Sequence, residues 1–246
     1  MLKEIMIKSE RADLAEGILY LTDDLKLLKE LQEKGEKAAA ILTQENRSQD
    51  FSRIPYAVEQ VEELEPEDFE KLYRRLAGLP LYVLETDRCR LREMTAADVD
   101  RLYEIYADEA AAKYMEDLPE DREEGRVYAK DYYRYVYGFY GYGIWLIEEK
   151  ASGEIIGRAG LEQKEQGIEL GYVIAEPWRG KGYAREACEA VLEYAWREIG
   201  CAGVTARTWH DNRPSVRLLE KLGFCKQGED EEGREKYIIY AGQNPI

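Results

Sequence analysis

Residues 168–184 read IELGYVIAEPWRGKGYA. Positions 168–174 are almost continuously apolar, the pattern of a strand covered on both faces. Pro177 then marks a short loop, and Gly180 and Gly182 interrupt the chain before a new periodicity begins. Ala184, Ala187, Cys188, Val191, Leu192 and Ala195 recur at i, i+3, i+4 spacing, one apolar stripe of a helix that ends near Gly200. A strand, a glycine turn and a helix start form an anion-binding device. The first N–H groups of a helix have no partner within it, and the helix dipole adds positive potential there. The glycines let the backbone approach a phosphate, and Arg179, Lys181 and Arg185 bring positive charge to the same place. The bland alternative for Arg179 and Lys181 is an ordinary solvated helix start, and the glycines around them favour phosphate binding.

Working outward, 144–149 and 154–162 read as strands joined at Ser152-Gly153, and 163–167 as a polar turn into the central strand. Beyond Gly200, 203–209 is a strand. Pro214 suits the first turn of a short helix that Gly223 ends, and 236–240 is a last strand. Upstream, 85–95 alternates as a strand, and Thr95 with Asp98 opens a helix. Residues 122–137 are helical and run into the aromatic stretch 132–145, read as packing that could also wall a pocket. The first third alternates strands (17–24, 38–43, 57–61) with helices (25–34, 65–77), which implies a small parallel three-stranded α/β domain of Rossmann type. The expected division is 1–84, non-catalytic, and 85–246.

The 246 residues carry 35 Lys+Arg against 51 Asp+Glu, a formal charge of −16. That balance argues against a general nucleic-acid surface. It suits a cationic amine, and it equally suits plain solubility. Glu116, Asp117, Glu120 and Asp121 add an acidic loop with the same two readings. Cys89, Cys188, Cys201 and Cys225 form no C-x-x-C, and His210 is the single histidine, so no metal site is expected. The cysteines read as buried thiols in a reducing compartment. No run reaches the length of a membrane span or a signal peptide. The expectation is a soluble cytoplasmic protein, free of membrane and nucleic acid, with a homodimer allowed.

Two motifs carry a resemblance. The first, [RQ]-x-x-G-x-[GA], stands as Arg179, Gly182 and Ala184. The second, N-x-x-S-x-x-L-x-E-K-x-G-F, stands as Asn212, Ser215, Leu218, Glu220, Lys221, Gly223 and Phe224. Residues from about 85 to 240 resemble a GNAT-superfamily acetyltransferase, in wording similar to the branch with acetylators of ribosomal-protein N-termini. The resemblance implies a mixed, twisted sheet flanked by helices, splayed between its fourth and fifth strands to admit acetyl-coenzyme A. It implies that backbone groups of Tyr172, Val173 and Ile174 pair with the pantetheine arm. It places the N–H groups of Arg179, Gly180, Lys181, Gly182, Tyr183 and Ala184 on the pyrophosphate, and Asn212 on the pantetheine unless it is only a helix cap. A thioester attacked by an amine needs a base and a donor toward the carbonyl. Glu169 matches the family's glutamate and the Val173 N–H the donor. Glu169 could instead pair with an arginine such as Arg158, and His210 is a lesser candidate base. Many relatives carry a tyrosine seven residues after the asparagine, where this chain has Leu219. Ser215 is then the first candidate proton donor unless it merely caps, a nearby tyrosine the second, and release to solvent the third. No cysteine sits as a nucleophile, so direct transfer in a ternary complex is expected. The alternative is a non-catalytic acyl-coenzyme A sensor. The first third resembles part of a haloacid-dehalogenase-type phosphatase, with Asp23 and Asp24 at the matching strand end. It has no D-x-D upstream, and either aspartate can cap the next helix.

Overall fold

A computed structural model describes residues 2–7, 17–51, 54, 56–115, 118–165 and 167–241. The chain divides into two compact units, Met1–Leu81 and Tyr82–Ile246.

In the first unit, β2 (Gly17–Thr22), β3 (Lys37–Ile41) and the short β4 (Ala57–Val58) run parallel. β1 (Leu2–Ile7) lies antiparallel to β2, so the sheet has four strands in the order β1-β2-β3-β4 rather than the three anticipated. β1 eludes a periodicity reading because Leu2 and Met6 sit on a face that stays largely exposed. Helix α1 (Leu25–Glu33) covers one face through Leu28 against Ala38 and Ala40. Helix α2 (Pro66–Ala77) covers the other through Tyr73 against Leu19, Leu21, Ala39 and Ile41. The alanines of β3 follow from this sandwich, since only small side chains let helices close on both sides of a strand. Asp24 accepts from the N–H groups of Lys26 and Leu27 at 2.8 and 3.2 Å, the capping role of such a residue.

The second unit is an eight-stranded sheet in the order β11-β12-β10-β9-β8-β7-β6-β5. β5 (Tyr82–Glu85), β6 (Cys89–Arg92), β7 (Ile144–Glu149), β8 (Ile155–Lys164) and β9 (Gly167–Ile174) form an antiparallel meander. β9 is parallel to β10 (Gly203–Thr208). β12 (Glu235–Tyr240) returns antiparallel to β10 and carries β11 (Cys225–Glu229) on its outer edge. Every β11 residue is exposed, which is why no apolar pattern announced it. The core packs Trp145, Ile147, Ile156 and Leu161 of the sheet with Ala187, Cys188, Val191 and Leu192 of α7 (Tyr183–Tyr194).

Before β7 come α3 (Val99–Tyr106), α4 (Glu109–Ala112) and α5 (Arg122–Asp131). The last runs through a widened π turn, Tyr132–Tyr137, into α6 (Gly138–Tyr140). The aromatic stretch divides by role. Tyr132 and Tyr137 are buried and tie the start of β7: the Ile144 N–H donates to the Tyr132 hydroxyl at 2.9 Å, and the Tyr137 hydroxyl donates to the Ile144 carbonyl at 2.5 Å. Phe139 is 80% exposed. Asp121 caps α5 by accepting from the Glu123 N–H, and Glu116 and Asp117 lie outside the described residues. Two cysteines depart from the buried expectation: Cys225 is exposed and Cys201 half-buried.

The start of α3 is held by charge. Asp98 accepts from the Thr95 N–H at 2.8 Å and grips the Arg92 guanidinium at 2.9 and 2.6 Å. Burial by itself would raise the Asp98 carboxyl. The Arg92 hydrogen bonds and charge, with Thr95, overcome that and hold it below the usual carboxylate range. A lowered folded value stabilises the fold above the unfolded pKa of about 3.9, and the contribution fades as pH falls through the folded value. Asp98→Asn should therefore cost about 3 kcal/mol at pH 7. Urea melts at pH 7 and pH 3 should show the gap to the parent protein narrowing in acid.

Candidate active site

The turn after β9 is built by a one-turn 3-10 helix, Glu176–Trp178, whose Trp178 N–H donates to the Ala175 carbonyl at 2.9 Å. Gly180 (φ +72°) and Gly182 (φ +88°) then take left-handed conformations, and Gly182 caps α7 with no side chain of its own. The first backbone bond of α7 runs from the Glu186 N–H to the Gly182 carbonyl. The N–H groups of Tyr183, Ala184 and Arg185 precede that ladder and are the ones a helix start offers to an anion. Arg88 clasps the turn. Its guanidinium meets the Glu186 carboxylate at 2.6 Å, donates to the Lys181 carbonyl at 3.0 Å, and lies 4.2 Å from the Tyr183 ring centroid.

β9 and β10 meet at one register pair, Glu169 with Thr205, and part beyond it. Which groups line the opening follows from the ladder on the other side. The Ala175 N–H donates to the Ile156 carbonyl, and bonded residues recur every second position in an antiparallel pair. Gly171 and Val173 therefore turn their backbone groups to β8, and Leu170, Tyr172 and Ile174 present theirs to the opening. This corrects the reading of the Val173 N–H as the donor toward the attacked carbonyl, because the ladder consumes it. The Ile174 carbonyl is also taken, by Arg179 Nε at 2.8 Å.

The opening leads into a cavity of about 860 Å³. Glu169, Tyr172, Val173, Ile174, Arg179 and Gly180 line it from the β9 side and the turn; Gly182, Tyr183 and Ala184 line the helix start; Asn212 and Ser215 line the far wall. Lys181 does not line it and lies over the Trp178 ring, 5.2 Å from the centroid. The Arg179 guanidinium is held by Asp108, and Arg185 pairs with Glu189 at 2.7 Å, so a carboxylate stands beside each of these two positive charges. His210 is exposed and lies outside the cavity lining.

Glu169 is not paired with Arg158. Its two oxygens accept from Arg207 at 2.6 and 3.1 Å across the neighbouring strand. Asn212 caps α8 (Arg213–Lys221) by accepting from the Ser215 N–H at 3.3 Å, which leaves its amide N–H₂ for a ligand. Ser215 Oγ lies 2.7 Å from the Tyr172 hydroxyl, a pair that joins β9 to α8. Burial pushes the Tyr172 hydroxyl well above its ordinary value, so it stays protonated at neutral pH. Leu219 is 1% exposed, packs in the core and lines the cavity, where a leucine offers no hydroxyl to donate a proton. Burial likewise raises the Cys89 thiol to about 11 and the Cys188 thiol further, so neither is a ready nucleophile. Arg88 and Arg207 were missed by sequence reasoning, and the nearby tyrosine it allowed as a proton donor was left without a number. No linear signal marks them, since their partners lie 98, 38 and 43 residues away.

An open strand edge, a side-chain-free turn and unpaired helix N–H groups along one cavity fit an extended thioester ending in phosphates. Comparison with known proteins points the same way. Residues 88–225 match the acetyltransferase (GNAT) domain. The N-acetyltransferase YoaA of Bacillus subtilis is 33% identical over 156 residues, covering 59% of this chain and 84% of that protein. The [ribosomal protein uS5]-alanine N-acetyltransferase of Escherichia coli is 28% identical over 181 residues, covering 68% and 88%. Among solved structures, a GNAT-family acetyltransferase from Bacillus anthracis superposes with a TM-score of 0.55 at 21% identity, over 65% of this chain and 98% of that one. The ribosomal L7/L12 α-N-protein acetyltransferase RimL shares the fold with a TM-score of 0.55 at 16% identity, over 67% and 96%. The chain belongs to the GNAT acetyltransferase family and is an N-acetyltransferase.

Proposed function

We propose that the protein transfers an acetyl group from acetyl-coenzyme A directly to a primary amine, of a small molecule or a protein N-terminus, at the cavity between β9 and β10. The single observation that carries the reading is the parting of these strands beyond Glu169 and Thr205, in line with the glycine turn. The N–H groups of residues 180–184 hold the pyrophosphate. The open backbone of Tyr172 and the Asn212 amide hold the pantetheine. Acetyl-coenzyme A supplies the activated thioester. Glu169, oriented by Arg207, takes the amine proton directly or through water. The Ser215 hydroxyl, backed by Tyr172, returns a proton toward the leaving sulfur. No step calls on a metal. The unit Met1–Leu81 is non-catalytic in this reading, the four thiols suit a reducing cytoplasm, and exposed Phe139 and Tyr135 are the surface available to a second copy.

Saturating acetyl-coenzyme A, at about 100 times its dissociation constant, should add roughly 2.7 kcal/mol of stability. Coenzyme A release with an amine panel should then follow. Absence of both overturns the reading. Ser215→Ala should lower kcat by about 10²-fold, and Tyr172→Phe should lower it less, because the serine remains. Equal rates in all three proteins would remove the pair from the mechanism.

A further inference from the structure

Arg158 sits on β8 directly opposite Val173 and lines the cavity. Its guanidinium lies over the Tyr106 ring, 5.3 Å from the centroid. Among the described residues no carboxylate lies within salt-bridge distance of it and no acceptor takes a hydrogen bond from it; Glu162, four residues along the same face of β8, acts on it through its charge and is itself paired with Lys164 at 3.0 Å. Of the other arginines in the lining, Arg217 also has no carboxylate within salt-bridge distance among the described residues but is exposed, and the remaining four differ. Arg179, Arg185, Arg207 and Arg234 line the same cavity, and each is tied to a carboxylate: Asp108, Glu189, Glu169 and Asp230. Arg158 is half-buried, stacked in place, and offers five N–H donors in a planar fork, none of them hydrogen-bonded among the described residues.

Its position relates it to the chemistry. Side chains alternate along a strand, and directly opposite residues share a face. Arg158, Val173, Gly171 and Glu169 therefore point to one face of the sheet, while Tyr172, with Ser215, points to the other. The proposed base and the unused guanidinium share the side from which an amine approaches; the proposed proton donors to the leaving sulfur lie on the opposite side. Between Glu169 and Val173 the floor is Gly171, which projects no side chain.

We propose that Arg158 receives an anionic group carried by the acceptor, so that the substrate is a primary amine bearing a carboxylate or phosphate a few bonds from its nitrogen. A half-buried guanidinium without a hydrogen-bonded acceptor is costly, and a planar fork matches either oxyanion in two parallel hydrogen bonds. The negative charge of the whole protein does not argue against this, because the acceptor's ammonium meets Glu169 while its anion meets Arg158. This inference rests on the cavity being the acetyl-transfer site.

The test compares matched amines by coenzyme A release: alanine with alaninamide, phosphoethanolamine with ethanolamine, and the peptide amides Ala-Asp and Ala-Asn. The parent protein should prefer the anionic member by about 10- to 100-fold in kcat/KM. Arg158→Gln should erase the preference, mainly through KM, and Arg158→Lys should restore part of it. Which pair shows the largest ratio identifies the source of the anion. Thermal shift with acetyl-coenzyme A runs in parallel on every variant. Turnover without any preference, or a preference that survives Arg158→Gln, overturns the role of Arg158 and leaves the transferase reading intact. A thermal shift with no turnover of any amine overturns both.

Discussion

Glu169→Gln should lower turnover by about 10²- to 10⁴-fold while leaving the thermal shift with acetyl-coenzyme A in place. Glutamine keeps the shape and the oxygen that Arg207 grips, and it loses the capacity to take a proton. The carboxylate also holds an ion pair, at 2.6 Å to Arg207 Nε, so a drop in rate could come from a loosened strand rather than a lost base. Arg207→Gln separates these causes. It breaks the same pair and leaves the carboxylate. The carboxylate as base requires Arg207→Gln to retain much more turnover than Glu169→Gln. Equal losses would mean that the pair positions the site and that another group takes the proton.

Gly182→Val should abolish the acetyl-coenzyme A thermal shift, with affinity down by at least about 100-fold. Two effects combine. At φ +88° a β-branched residue pays roughly 1–2 kcal/mol of backbone strain. The new side chain also stands at the helix start where the phosphates would lie, and a Cβ there already comes within 3.3 Å of Arg88. Strain alone must be discounted. Gly200, at φ +70°, closes the far end of the same helical run and has open space around it. Gly200→Val should destabilise comparably and keep the thermal shift. If both variants bind acetyl-coenzyme A as the parent does, the glycine turn is not the phosphate site.

Much of this was legible in the residues themselves. The apolar run of β9, the two glycines and the stripe of α7 are local facts, because strand burial, left-handed backbone and helix periodicity act over a few neighbours. The same holds for Asn212 and Ser215, three residues apart at a helix start. The sequence by itself therefore determined the order of elements around the cavity and where the turn must bend. Only the tertiary structure decided what the charges do. Asp108 immobilises Arg179 from 71 residues away, and Arg207 takes Glu169 in place of Arg158. Strand pairing turns the Val173 N–H away from the opening and leaves Arg158, among the described residues, stacked on Tyr106 with no carboxylate in salt-bridge reach. Those outcomes depend on register and on which side chains share a face, and both are set by how distant strands pair.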